Sequence, residues 1–87
     1  MATVSVPESL SRLFAGMPRH IDATGGTAVA LIEDVDRRYP GFRDRLCETK
    51  TRIQRHILIF VDGSLARLDT EVGDTSELLV VPALSGG

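Results

Sequence analysis

The chain has 87 residues, of which 43% are hydrophobic and 25% are charged, and its formal net charge is -2 at neutral pH. A chain of this length builds one small hydrophobic core but does not enclose a large active site, which favours a carrier or a binding module over a self-sufficient enzyme. The near-neutral charge excludes a general electrostatic attraction to nucleic acid or to anionic membranes. No apolar run approaches the roughly 20 residues that cross a bilayer, so we expect a cytoplasmic protein without a membrane partner.

Two short strands are predicted at the start of the chain. Residues 3 to 6 alternate between polar and apolar side chains before Pro7, which is typical of a half-buried strand. Residues 8 to 17 carry apolar side chains at helical spacing over too short a stretch for a full helix, and predict a turn or short helical loop. Residues 19 to 24 alternate again until Gly25-Gly26, so we expect an antiparallel pair of strands.

One amphipathic helix is predicted next. Thr27 is a candidate N-cap, and Pro40-Gly41 ends the helix. Between them, the apolar side chains that recur at helical spacing are Ala28, Leu31, Ile32, Val35 and Tyr39. They form one stripe that must be buried against a sheet.

Residues 42 to 55 are predicted to form a basic connection that is less periodic than the preceding helix. Residues 37 to 56 hold seven of the ten basic side chains of the chain, against only Asp44 and Glu48. The segment is interpreted either as a solvent-exposed connection, which we favour, or as a docking surface. Phe42 is the only aromatic residue of the connection, so there is no stacking platform for nucleic acid.

The second half of the chain predicts three strands. Residues 57 to 61 are continuously apolar, as expected for a strand covered on both faces, and Asp62-Gly63 predicts a two-residue hairpin turn. Residues 64 to 68 return as a short strand. After a polar link at residues 69 to 75, the final strand runs from residue 77 to residue 81 and is also apolar on both faces.

A single helix covers only one face of the predicted sheet of four or five strands. If one alternate set of residues 57 to 61 faces the helix, Leu58 and Phe60 lie on the other face with one alternate pair from residues 78 to 81. An apolar open face is a candidate partner site. The alternative, that residues 8 to 17 or the basic connection fold over it, is left open by the sequence.

The carboxyl terminus is the most informative stretch of the chain. We predict a folded domain over residues 1 to 82 and a flexible tail over residues 83 to 87, which ends in Gly86-Gly87. Two glycines without a Cβ can thread a channel too narrow for other residues, and they leave the Gly87 α-carboxylate as the reactive group. Five extended residues reach about 16 Å, enough to enter the active site of another protein. The competing interpretation is an ordinary frayed end.

The remaining candidate reactive side chains are assigned no function. Cys47 is the only cysteine, so the chain has neither an internal disulfide nor a multi-cysteine metal site, and we interpret it as a partly buried thiol. His20 and His56 lie beside predicted strands without a paired nucleophile or a second ligand at workable spacing. We therefore expect no bound metal and no bound cofactor.

With the diglycine terminus, the strand order and the Val61-Asp62-Gly63 hairpin in place, the chain resembles the ubiquitin-like sulfur carriers of prokaryotes. These include the small subunit of molybdopterin synthase, the thiamine sulfur carrier and the cysteine-biosynthesis carrier. The resemblance covers essentially the whole chain. A single Pro82 followed by Ala83 looks more like the cysteine-type carrier than like the Pro-Pro that often precedes the molybdopterin-type tail.

This resemblance implies an α+β fold of the β-grasp type, in which the last strand runs parallel to the first at the centre of a mixed sheet. It implies that a ubiquitin-activating-like enzyme uses ATP to adenylate Gly87, and that sulfur from a sulfurtransferase or persulfide donor converts the terminus to a thiocarboxylate. A sulfur-accepting biosynthetic enzyme is the third expected partner. The residues expected to meet these partners are Leu58, Phe60, Val81, Pro82, Ala83, Leu84 and Ser85, with Gly86 and Gly87 at the reaction site.

Two other functions use the same terminus. The first is a ubiquitin-like modifier that is joined through Gly87 to lysines of other proteins. The second is the small subunit of a complex similar to molybdopterin synthase, with its tail inserted into the active site of the partner. Both remain alternatives to the free sulfur carrier.

Overall fold

The computed structural model describes residues 1–82, and it contains five strands and three helices. The elements in chain order are β1 (Ala2–Ser5), α1 (Glu8–Ser11), β2 (His20–Ala23), α2 (Ala28–Arg38), α3 (Phe42–Leu46), β3 (Ile57–Val61), β4 (Ser64–Leu65) and β5 (Glu77–Pro82).

The five strands form one mixed sheet in the order β2-β1-β5-β3-β4. β1 and β5 are parallel, whereas the β1–β2, β3–β5 and β3–β4 pairs are antiparallel. The last strand therefore lies at the centre of the sheet beside the first, and α2 packs on one face. This arrangement is the β-grasp fold expected from the sequence, with five strands.

Helix α2 begins where the sequence predicts. The Thr27 hydroxyl accepts a hydrogen bond from the Ala30 amide at 3.2 Å, which satisfies one of the free amides of the first turn. The predicted stripe faces the sheet, and Leu31, Ile32 and Val35 are fully buried. Gly25 lets the preceding turn approach the helix closely, because a Cβ at this position would lie 2.7 Å from the Ala30 Cβ.

The hairpin between β3 and β4 has the predicted two-residue turn. Asp62 and Gly63 both have positive φ, at 50° and 88°, as such a turn requires. The return strand is shorter than predicted, since it covers Ser64–Leu65 and not residues 64 to 68. Leu68 leaves the sheet because its carbonyl accepts a hydrogen bond from the Val29 amide at 2.9 Å and its side chain is buried in the core.

The prediction of an irregular connection over residues 42 to 55 is wrong at its start. Residues Phe42–Leu46 form α3, because Phe42 and Leu46 are four residues apart and both are completely buried on the same side of this turn. The Phe42 ring also contacts Phe14 edge to face, with centroids 6.0 Å apart. Helix α3 thus packs the first part of the connection against the core, and only the second part of the connection is a solvent-exposed loop.

Candidate functional site

The uncovered face of the sheet carries a continuous apolar patch across three strands. Strand pairing places Phe60 opposite both Leu79 and Leu65, and Leu58 opposite Val81, and directly opposed residues share a face. Leu58, Leu65 and Leu79 are 38%, 66% and 40% exposed, while Phe60 and Val81 are half-buried. We call these five residues the apolar face.

Neither candidate cover reaches this patch. Leu10 and Met17 of the segment between β1 and β2 are buried in the core, and Phe14 packs on α3. Helix α3 in turn packs against α2, which lies on the opposite side of the sheet. Within the part of the chain that the structure describes, the apolar face is open to solvent. The structure thus brings Leu58, Phe60 and Val81 together as predicted.

Leu65 belongs to the apolar face but was missed by the sequence analysis. Its signal was present, because a two-residue turn at Asp62-Gly63 places residue 64 opposite residue 61 and residue 65 opposite residue 60. Once Phe60 is assigned to the open face, the register assigns Leu65 to it as well.

A polar cluster borders the apolar face on β1, β2 and β5. The Ser5 hydroxyl donates a hydrogen bond to the Glu77 carboxylate at 2.8 Å and lies 2.9 Å from His20 Nδ1. A hydroxyl has one proton to donate, and the Ser5 hydroxyl donates it to the Glu77 carboxylate, which can only accept. The imidazole therefore takes no proton from Ser5, and this trio is not a nucleophile with its base. His20 stays a surface histidine, as expected.

Strand β5, which leads to the tail, is held in the middle of the sheet by its two neighbouring strands. It pairs with β1 over residues 77 to 79 and with β3 over residues 78 to 82, so hydrogen bonds hold it on both sides along its first half. Pro82 is exposed and pairs with Ile57 at the end of the sheet. The predicted site residues Ala83, Leu84, Ser85, Gly86 and Gly87 lie outside the described residues, so their roles stay predictions.

Cys47 is not placed for sulfur chemistry. It is 7% exposed, and burial raises the pKa of its thiol although the Arg43 guanidinium acts in the opposite direction. A thiol with a raised pKa is largely protonated at neutral pH and is a poor nucleophile.

Residues 1–82 contain no group of three or more His, Cys, Asp or Glu side chains arranged to hold a metal ion. None of the helices in this range is long and apolar enough to cross a membrane.

Comparison with known proteins identifies close relatives of the chain. The model of the ThiS family matches residues 10–87. Sulfur carrier protein CysO from Mycobacterium tuberculosis is 31% identical over 91 residues, which cover 98% of this chain and 97% of that protein.

Solved structures agree with this match. A chain of the Amycolatopsis orientalis BexX/CysO complex superposes with a TM-score of 0.89 at 32% identity, and the alignment covers 100% of both chains. Mycobacterium tuberculosis CysO superposes with a TM-score of 0.87 at 28% identity over 97% of this chain and 100% of that one. The small archaeal modifier protein 1 of Methanosarcina acetivorans, at 21% identity and a TM-score of 0.79 over 99% of this chain and 95% of that one, shares the fold. The expected fold and the resemblance are both confirmed.

Proposed function

The chain belongs to the ThiS family, and on this basis we propose that it is a sulfur carrier protein whose Gly87 carboxylate is adenylated and then converted to a thiocarboxylate. It is not an enzyme by itself but a protein co-substrate that acts with partner enzymes. The observation that carries this proposal is the extent of the family match, which runs to residue 87 and so includes the Gly86-Gly87 terminus.

The proposed reaction follows from leaving-group chemistry. A carboxylate resists nucleophiles, so one Gly87 oxygen first attacks the α-phosphorus of ATP, and pyrophosphate leaves. The terminal sulfur of a persulfide then attacks the carbonyl carbon of the acyl-adenylate, and AMP leaves. A second thiol cleaves the resulting S–S bond, which leaves the thiocarboxylate on Gly87 and a disulfide on the donor side. ATP is bound by the activating partner and not by this chain.

The fold supports this role by separating recognition from chemistry. The apolar face offers a surface on which an activating enzyme can dock, since exposed apolar patches of this kind mark protein interaction sites. Pro82 is the last residue of the central strand, so an enzyme that docks on the sheet meets the chain at a fixed point from which the tail departs. The buried Cys47 thiol does not compete as a sulfur acceptor.

Three partners are proposed: a ubiquitin-activating-like adenylating enzyme, a sulfurtransferase or persulfide donor, and a biosynthetic enzyme that accepts the sulfur. The Amycolatopsis orientalis relative was crystallised in a complex with BexX, which supports docking with a partner protein. The similarity to carriers named CysO, together with the single Pro82 before the tail, favours a cysteine-type carrier over a molybdopterin-type subunit.

Intact-mass spectrometry tests the proposed reaction. We expect the full chain, incubated with its activating enzyme, ATP and a persulfide donor, to gain the mass difference between sulfur and oxygen on Gly87. Deletion of Gly87 moves the carboxylate about 3.3 Å, and Gly86→Val adds a branched Cβ, so both variants should lose the sulfur transfer but keep their thermal stability. Gly26→Ala is the matched control, because a Cβ at Gly26 meets nothing within 4 Å.

Two results would contradict the proposal. One is sulfur on Cys47 instead of Gly87, and the other is a Gly87 deletion that accepts sulfur as readily as the unchanged chain. A ladder of covalent adducts in native cell extract would instead favour the ubiquitin-like modifier.

A further inference from the structure

A groove of about 200 Å³ lies beside the base of the tail, on the side of β5 opposite to the apolar face. Its β5 residues are Val80 and Pro82, which alternate along the strand with Leu79 and Val81 of the apolar face. The other apolar residues that line it include Pro7, Leu10, Leu13 and Ile57. We call this cavity the tail groove.

Two cationic or titratable side chains, Arg45 and His56, also line the tail groove, and among residues 1–82 no carboxylate does. Among residues 1–82, neither side chain forms a salt bridge or a hydrogen bond. Two other arginines of the basic connection, Arg43 and Arg52, do form salt bridges, whereas Arg55 forms none among residues 1–82. Arg43 Nε lies 3.6 Å from Glu33 Oε2, and Arg52 Nη1 lies 4.0 Å from Glu48 Oε2. The Arg45 guanidinium is therefore available to a carboxylate from another molecule.

Leu13 adds an apolar contact that the fold does not use fully. Leu13 is 52% exposed, whereas the nearby Leu10 is only 8% exposed. A ligand that suits this surface has an apolar side chain, which contacts Leu13 and the groove, and a neighbouring carboxylate, which pairs with Arg45. Charge complementarity of this kind sets specificity and the rate of association more than affinity.

We propose that the tail groove docks an acidic segment of a partner protein, whose apolar side chain enters the groove while its carboxylates face Arg45 and His56. This inference rests on the proposed function, because the chemistry at Gly87 brings a partner enzyme to Pro82, which borders the groove. Since the groove and the apolar face lie on opposite sides of β5, a segment in the groove leaves the apolar face free for a second contact.

NMR titration of the isotopically labelled full chain tests the groove without any activating enzyme. The probe is the peptide acetyl-Glu-Asp-Leu-Phe-Asp-Glu-amide, and its matched control replaces each acid with the corresponding amide. We expect the acidic peptide to shift the amide signals of Leu13, Arg45 and His56, and expect the control peptide to shift them much less. Raising the salt concentration should weaken the effect, as for any exposed ion pair.

Two variants separate charge from apolar contact. Arg45→Glu should weaken peptide binding by about five- to tenfold, because it removes one attraction and adds a repulsion. Leu13→Ser should weaken binding while it leaves the charge unchanged. Arg55→Glu is the control, since this substitution makes the same change of charge at a nearby residue that does not line the groove. In the presence of the activating partner, Arg45→Glu and Leu13→Ser should also slow the sulfuration of Gly87.

Three results would overturn the proposal. The first is equal weakening of peptide binding by Arg45→Glu and Arg55→Glu, and the second is a set of peptide-induced shifts confined to the apolar face. The third is a change of the groove amide signals that Leu84→Ser causes in the absence of peptide. The last result would make the chain's own tail the occupant. Failure of the proposed function is recognised separately, because the peptide would then bind the groove while Gly87 gains no sulfur.

Discussion

Asp62 stabilises the turn between β3 and β4 in two ways. Its φ of 50° is tolerated by aspartate better than by most residues, and its carboxylate accepts hydrogen bonds from the Glu77 amide at 2.9 Å and from the Ser76 hydroxyl at 2.8 Å. These bonds, the backbone one above all, lower the pKa of Asp62 below its ordinary value of 3.8. The stability they contribute is complete above the unfolded-state pKa and is lost as the pH falls through the folded-state pKa.

We therefore expect Asp62→Asn to lower the Tm at neutral pH, and to make the Tm less sensitive to acid as the pH falls from about 5 to below the ordinary pKa of 3.8. Asparagine keeps the size of the side chain and tolerates positive φ, so the change isolates the carboxylate. Thermal unfolding followed by circular dichroism across this range measures both effects. Asp22→Asn is the control, because the Asp22 side chain accepts no hydrogen bond within residues 1–82. An identical acid dependence in Asp62→Asn and the unchanged chain would contradict the argument.

Features that depend on a few neighbouring residues could be predicted from the sequence. The Thr27 cap of α2 and the Asp62-Gly63 turn were both predicted correctly, because each depends on contacts within four residues of the chain. The same turn places Leu65 opposite Phe60, so its position on the apolar face could have been predicted as well, although it was not. The position of Arg45 in the tail groove could not be predicted, since it is set by α1, β3 and β5 together.

At the scale of the element, β3 is the clearest example of one strand that serves two surfaces. Ile59 is 1% exposed in the core, whereas the next residue, Phe60, lies on the apolar face. The continuous apolar run from residue 57 to residue 61 predicted a strand covered on both faces, but within residues 1–82 only the face that carries Ile59 is covered. Periodicity alone could not tell whether the second face would be covered.

Matched glutamate substitutions test this division. Phe60→Glu should lower the free energy of unfolding by only about 1 kcal/mol and should strongly weaken activation by the adenylating partner. Ile59→Glu should cost several kcal/mol, because it buries a charge without a partner. Urea unfolding and the ATP-dependent activation assay are the two measurements. If Phe60→Glu unfolds the protein as severely as Ile59→Glu, Phe60 belongs to the core.

Helix α3 was missed because its signal is short. Phe42 and Leu46 make a single i, i+4 pair, and a helical period needs a window of about 11 residues to be recognised. What stabilises α3 is its packing: both side chains are buried, and α3 contacts α2. Tertiary contact, and not local periodicity, forms this helix.

At the scale of the whole molecule, one core joins the elements on the helix side of the sheet. Buried residues from β1, β2, β3, β5 and all three helices form a single hydrophobic cluster. The pairing of β1 with β5 at the centre of the sheet, for example Thr3 against Glu77, connects residues far apart in the sequence. The order of the strands within the sheet therefore could not be derived from periodicity, and its prediction relied on the resemblance to a known family.

A single core predicts unfolding in one cooperative step. Tyr39 is the only tyrosine, the chain has no tryptophan, and this tyrosine packs against the core. We expect urea unfolding followed by Tyr39 fluorescence and by far-ultraviolet circular dichroism to have the same midpoint, with a slope of about 1 kcal/mol per molar urea. A lower midpoint by fluorescence would mean that α2 and α3 separate from the sheet first.

The central position of β5 also sets the order in which the molecule can be completed during synthesis. Of the five strands in residues 1–82, the ribosome makes β5 last, and the four strands made before it form only the β1–β2 and β3–β4 ribbons, which β5 joins. Isolated two-stranded ribbons are marginally stable in water. A chain that is terminated before residue 77 therefore cannot close its sheet, and it stays open to cellular proteases. Folding thus acts as a check on translation: a copy stable enough to meet a partner enzyme has been synthesised at least as far as the strand that leads to the tail.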